Sequence, residues 1–209
     1  MIQRYPDQIG SGPLGGLDSG SLASVRWDDI SGQLLSARLN SPSGRVVTDY
    51  FNSAVNFKNN AVYPDDFAVF SIQMHHRCLI GAGAVLRPHF HWYQTQNDYP
   101  NMILGYKFIN WGAATSIETD WSGYTLLIPD SDGYIYPGSG TFGQITRFPE
   151  VDSSSLTISA TVNFVLFRDN ANDSGLFSGS DPISGDALIS YNDSHIKNDS
   201  AGSRQEVIK

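Results

Sequence analysis

The sequence predicts one all-β domain, an antiparallel β-sandwich of jelly-roll type with an extended N-terminal arm and a C-terminal tail. Three observations carry that reading. Several segments alternate apolar and polar residues with the two-residue period of a half-buried strand. Twenty glycines and ten prolines, among many Ser, Asn and Asp residues, punctuate those segments with turn chemistry. No segment keeps a helical period, and strands do not alternate with helices as they do in parallel-sheet folds. A chain of 209 residues can bury most of its apolar surface in one core, so one domain is expected: an arm over 1–24, a sandwich over 25–197 and a tail over 198–209.

Residues 8–24, QIGSGPLGGLDSGSLAS, have the Gly/Ser-rich composition of a flexible arm, and 198–209 are almost wholly polar. Both ends are expected to lie against a neighbouring chain or back on their own domain. Val25, Trp27 and Ile30 anchor a first strand, a polar turn follows at Ser31 and Gly32, and Gln33 to Asn40 form a second strand. Residues 41–66 read as loop around one short apolar piece, RVVTDYF. In FAVFSIQM, Phe67, Val69, Ser71 and Gln73 share one face and Ala68, Phe70, Ile72 and Met74 the other. A run apolar on both faces belongs in the middle of a sheet.

Across 85–93, Val85, Arg87, His89, His91 and Tyr93 share one side and Leu86, Pro88, Phe90 and Trp92 the other. Pro88 points to an edge position or a bulge. NMILGYKFINW, residues 101–111, is the next strand, with Met102, Leu104, Tyr106 and Phe108 inward. YTLLIPD and YIYPGSG flank a turn at Ser131, Asp132 and Gly133, and TFGQITRFPEV is a short strand ending at Pro149. The cleanest alternation is in SSSLTISATVNFVLFRD, where Leu156, Ile158, Ala160, Val162, Phe164 and Leu166 take every second position, so a long half-buried strand is expected there. A loop over 169–182 leads to a last strand in DALISYNDSHIK. The total is about eight to ten strands, and these patterns leave their order in the sheets open.

Charge narrows the function classes. A net charge of −8 repels phosphate backbones, so nucleic acid is not an expected partner. No stretch approaches the roughly 18–20 apolar residues of a membrane span, and the start, MIQRYPDQIGSGPLGG, lacks the basic and apolar regions of a signal peptide. A product that stays in the cytoplasm, or joins something assembled there, is expected, with no membrane partner. Cys78 is the single cysteine, so no internal disulfide is available.

The sharpest enzymatic pattern is His89 and His91, because an H-x-H pair on a strand projects both imidazoles to one face at a spacing that can grip one metal ion. Gly83 stands at the offset from His89 that opens a cupin motif. The cupin pattern then wants a Glu where this chain has Thr95 and Gln96, and its later motif ends in a third His, which GYIYPGSG does not supply. Of His75 and His76, adjacent on the chain, only one can face the pair. The expectation is therefore no metal and no cofactor, with His89 and His91 hydrogen-bonded to loop carbonyls, Arg87 or Tyr93; a degenerate cupin enzyme is the alternative. Cys78 has no base, orienting acid or oxyanion loop around it and reads as a buried thiol. Asp28/Asp29 and Asp65/Asp66 read as turn or surface pairs rather than a glycosidase dyad. Trp92, Tyr93, Tyr99, Tyr106, Trp111, Trp121 and Tyr124 fill the space between sheets, or in part stack on sugars or anchor an interface. No catalytic residue is expected.

Three blocks in order resemble a family of tailed-bacteriophage virion proteins with a W-D-D start, a central P-H-x-H-W and a characteristic ending. The blocks are Trp27-Asp28-Asp29, then IQMHHRCLIGAGAVLRPHFHW, then HIKNDSAGSRQEVIK, in which His195, Asp199, Gly202, Ser203 and Lys209 match. The Arg77-Cys78-Leu79-Ile80 run departs from the family, which has a more polar, lysine-bearing turn there. The resemblance implies a virion structural protein, not an enzyme, that forms a dimer or trimer. It would bind other virion proteins as a capsid decoration or cement protein on the major capsid protein, or as part of the collar or tail. A receptor-binding or glycan-binding module is the alternative.

Overall fold

The computed structural model describes residues 26–38, 46–47, 54–76, 78–93, 99–110, 121–130, 133–135, 144–157, 159–183 and 185–198. The expected arm, the tail beyond Asn198, Trp111 and the turn at Ser131 and Asp132 lie outside them. Twelve strands lie within them: β1 (Arg26–Arg38), β2 (Val46–Val47), β3 (Ala54–Phe57), β4 (Phe67–Gln73), β5 (Val85–Tyr93), β6 (Met102–Ile109), β7 (Thr125–Leu127), β8 (Tyr134–Ile135), β9 (Gln144–Arg147), β10 (Val151–Asp152), β11 (Thr161–Arg168) and β12 (Ala187–Asn198).

In one sheet the order is β1-β12-β5-β9, and in the other it is β4-β11-β6-β7, with every pair antiparallel. Successive strands β4, β5 and β6 alternate between the sheets. The closing strands then insert between earlier ones, β11 between β4 and β6 and β12 between β1 and β5. That order is a jelly roll, two Greek keys folded over one core: the fold class agrees with the sequence reading, and the order is what the patterns leave open. The short strands add to the rims of the first sheet: β3 beside β12, β2 beside β3, β8 beside β9, and β10 beside β5.

The core lies between the inner faces. Leu86, Phe90 and Trp92 of β5 and Ile189 and Ile196 of β12 meet Ala68, Phe70 and Ile72 of β4 and Val162, Phe164 and Leu166 of β11. Phe70 and Phe90 touch across the sandwich edge to face, with ring centres 5.1 Å apart. Trp92 is buried with its indole N–H donated to Thr146 Oγ1 at 2.9 Å, so its polar atom is not left unpaired in the core.

Three expectations need correction. First, Ser31 and Gly32 do not reverse the chain. β1 pairs with β12 through Arg26–Gly32 and with β4 through Gln33–Arg38, so one strand bends from the first sheet into the second. Gly32 sits at the bend because Asn192 packs on it: a Cβ there would lie 1.9 Å from Asn192 Oδ1. Small and polar residues mark a change of pairing partner here, a signal that sequence patterns share with a turn.

Second, the long strand starts later, at Thr161. Residues 153–157 and 159–160 lie in turns, with Leu156 N–H donated to the Ser153 carbonyl and Ala160 N–H to the Thr157 carbonyl. Leu156 and Ala160 are still buried, which is why the alternation continues through a segment that is not strand. The strand is also buried on both sides: Val165 and Phe167 face away from the main core, under Tyr63, Trp121, Tyr124 and Phe177. Third, β5 is an interior strand despite Pro88. The neighbour on that side breaks between β9, which pairs from His89 onward, and β10, which pairs with Val85 and Leu86. The proline occupies the gap, where no ladder N–H is required, and its carbonyl accepts Phe148 N–H.

Candidate functional site

The outer face of the first sheet collects polar residues from three remote parts of the chain. On β5, Arg87, His89 and His91 alternate onto that face, and the antiparallel register sets Asp193 of β12 opposite His89 and His195 opposite Arg87. On the far side of β12, Asp29 lies opposite His195 and Trp27 opposite Lys197. The side chains then make contact. His195 Nε2 is 3.0 Å from Asp29 Oδ1, and His89 Nε2 is 3.7 Å from Asp193 Oδ2. The His89 ring lies against two others, with centres 4.6 Å from His195 and 5.2 Å from His91. The Arg87 guanidinium sits 4.0 Å over the Trp27 ring, Lys197 lies 5.5 Å from the same ring, and Arg87 also pairs with Glu150.

His89 is 5% exposed and Asp193 9%, whereas His195 is partly open and Trp27 is 42% exposed. Burial is the larger cause holding His91 down to about 4, with the neighbouring His89 adding to it. Burial likewise lowers His89, against the opposing pull of Asp193. Both imidazoles are therefore neutral at pH 7.

A pH dependence follows. An unfolded histidine titrates near 6.5, and these two have folded values below that, so the unfolded chain binds more protons between the two values. Stability is then full above the unfolded value and falls as pH drops from about 6.5 toward about 4. Since His91 is only partly buried, solvent screening reduces its share to roughly 1–2 kcal/mol. Urea midpoints taken between pH 7.5 and 4.5 should fall in the wild type and fall less in His91→Gln. Equal slopes in the two proteins would remove His91 as the cause.

The other sequence candidates lie elsewhere. His75 is exposed and His76 turns away from the H-x-H pair, its ring nitrogen 2.9 Å from Ser159 Oγ, beside a cleft of about 620 Å³ that Asp28, Met74 and Asn198 also line. Asp28 accepts from Asn198 Nδ2, and buried Asp66 accepts Val62 N–H in a turn. Cys78 is buried beside Asn198, and burial pushes its thiol up to about 11, so it is no nucleophile at neutral pH. Trp121 and Tyr124 pack on the outer face of the second sheet.

Sequence reasoning did not find Asp193 as a neighbour of His89 and His91. NDSHIK places Asp193, His195 and Lys197 on one face by its period of two. Which strand they oppose is set by register, and periodicity does not carry register.

No known protein family matches the chain, and no curated protein does. Among solved structures, it is similar to the crystal structure of the enzymatically active domain of tailspike protein 4 of bacteriophage CBA120, at 10% identity and a TM-score of 0.32 over 80% of this chain. The chain spans 19% of that protein's length. It is also similar to TmCBM61, solved in complex with β-1,4-galactotriose, at 13% identity and a TM-score of 0.27, covering 83% of this chain and 84% of that one. Likeness at this level carries no argument about function, and the fold assignment rests on the strand order above.

Proposed function

We propose that this chain is a structural protein of a tailed-bacteriophage virion, a jelly-roll domain that works by assembly with copies of itself and with neighbouring virion proteins rather than by catalysis. One observation supports the reading beyond the motifs themselves. The W-D-D, P-H-x-H-W and H-I-K-N-D blocks are remote in sequence, yet Trp27 stacks under Arg87 and Lys197, Asp29 pairs with His195, and Asp28 pairs with Asn198. Trp27, Asp29, Arg87, His195 and Lys197, drawn from all three blocks, thus meet on one face of the first sheet, which supports a shared role for that face.

The finer reading is a capsid decoration or cement protein, with collar and tail as the other positions. A shell offers many equivalent sites, so weak individual contacts gain strength when an oligomer engages several at once. Purified protein is expected to run as a dimer or trimer in light scattering and to cosediment with particles of its own phage lacking it. A strict monomer with no affinity for particles would sink the proposal, and imaging of labelled particles would separate shell from collar and tail. Trp27, half-exposed between two cations, favours a second reading as a glycan-binding module. A glycan array on which wild type and Trp27→Ala are equally silent disposes of that reading.

A further inference from the structure

We propose that the imidazole nitrogens of His89 and His91 and a carboxylate oxygen of Asp193 bind one divalent transition-metal cation of the zinc class on the outer face of the first sheet. The expectation of no metal rested on finding no third donor along the chain. Strand register supplies one: ligand atoms of His89, His91 and Asp193 all lie within 4.8 Å of one another. Two ligands on one tetrahedral zinc at 2.0–2.1 Å are about 3.4 Å apart. Binding therefore closes the widest pair by up to about 1.4 Å, which side-chain rotation supplies.

A second observation comes from the tautomer of His89. His89 Nδ1 is 3.4 Å from the Arg87 carbonyl oxygen, which can only accept, so Nδ1 carries the proton. Nε2 is then left with a lone pair 3.7 Å from Asp193 Oδ2, another electron-rich atom. A cation between them turns that opposition into two bonds. The surroundings also suit a ligand shell. Burial keeps both imidazoles neutral, and His195, held by Asp29, packs on the His89 ring and fixes its plane. A cleft of about 310 Å³ lined by Arg87, His89, Arg147 and His195 opens beside His89. Two nitrogens and one oxygen select zinc, cobalt or nickel over calcium and magnesium, which demand oxygen ligands.

The test uses full-length protein without a histidine tag, stripped with a chelator and dialysed. Calorimetric titration with zinc chloride and visible spectroscopy with cobalt chloride give stoichiometry and coordination, and neither depends on any virion role. One equivalent of zinc, the strong visible bands of low-coordinate cobalt and no response to calcium are expected. Asp193→Asn keeps the side-chain shape and should weaken zinc about tenfold or more. His91→Ala should abolish the cobalt bands. His75→Ala, exposed and outside the cluster, should bind as wild type does. Absence of stoichiometric zinc, or zinc affinity unchanged in both Asp193→Asn and His91→Ala, overturns the site. Loss of binding in His75→Ala with retention in His91→Ala overturns it as well.

Discussion

Replacing Arg168 by methionine should destabilise the fold by about 3–5 kcal/mol, read as a lowered urea midpoint at unchanged slope. Arg168 and Asp181 are both wholly buried at the side chain, with Nε 2.8 Å from Asp181 Oδ2. The guanidinium also donates to three backbone carbonyls, those of Phe57 at 3.0 Å, Gly185 at 2.8 Å and Ile183 at 2.9 Å. Asp181 in turn accepts the backbone N–H groups of Asn101 at 3.1 Å and Ile183 at 2.8 Å. One side chain thus holds together the ends of β3 and β11 and the long loop before β12. Removing it leaves a carboxylate and three carbonyls in a dry interior, and the cost comes from those stranded groups. The double change Arg168→Met with Asp181→Leu should recover part of the loss, because no charge is then stranded at that position. A loss below about 1 kcal/mol for the single variant would mean that water reaches the site.

Phe167→Ala should cost about 3–5 kcal/mol, as much as Phe164→Ala, although the two side chains point to opposite faces of β11. A half-buried strand would predict a large loss at Phe164 and a small one at Phe167. Both are wholly buried. Phe167 meets Tyr63, Trp121 and Phe67 edge to face, at centre distances of 5.2, 5.8 and 6.4 Å. Residues from the segment before β4 and from the loop into β7 therefore make a second, smaller core on the outside of the sheet. Unequal losses, with Phe167 under about 1 kcal/mol, would show that this cover does not hold in solution.

Those two residues also show where sequence patterns are informative and where they stop. The period of two placed Phe164, Leu166, Phe90 and Trp92 in one core because alternation records which side of a strand faces apolar neighbours. It assigned β5, with bounds 85–93, and nearly all of β4, β6 and β12. It misread Leu156 and Ala160, which are buried from turns, since burial and extension need not coincide. It was silent on the outer cover of β11, because that cover comes from distant segments. The site shows the same division. His89 and His91 sharing a face follows from local geometry, whereas Asp193 meeting His89 follows from pairing between strands about a hundred residues apart, and His76 turning to Ser159 from a contact across 83 residues. Arg168 had no readable signal, as an arginine at a strand end is usually solvated.

The pairing of Arg26 with Asn198 at the outer end of β1 and β12 has a mechanical consequence. The chain enters the sheet and leaves it through adjacent positions on antiparallel neighbours. A tensile load applied through both exits pulls across the ladder rather than along it, so hydrogen bonds give way one rung at a time. Peeling starts where Asp28 meets Asn198, proceeds past Asp29 and His195, and reaches the bend at Gly32 before it strains the second sheet. Under force this domain should open like a zipper at low tension, with its opposite sheet intact until the peeling passes Gly32.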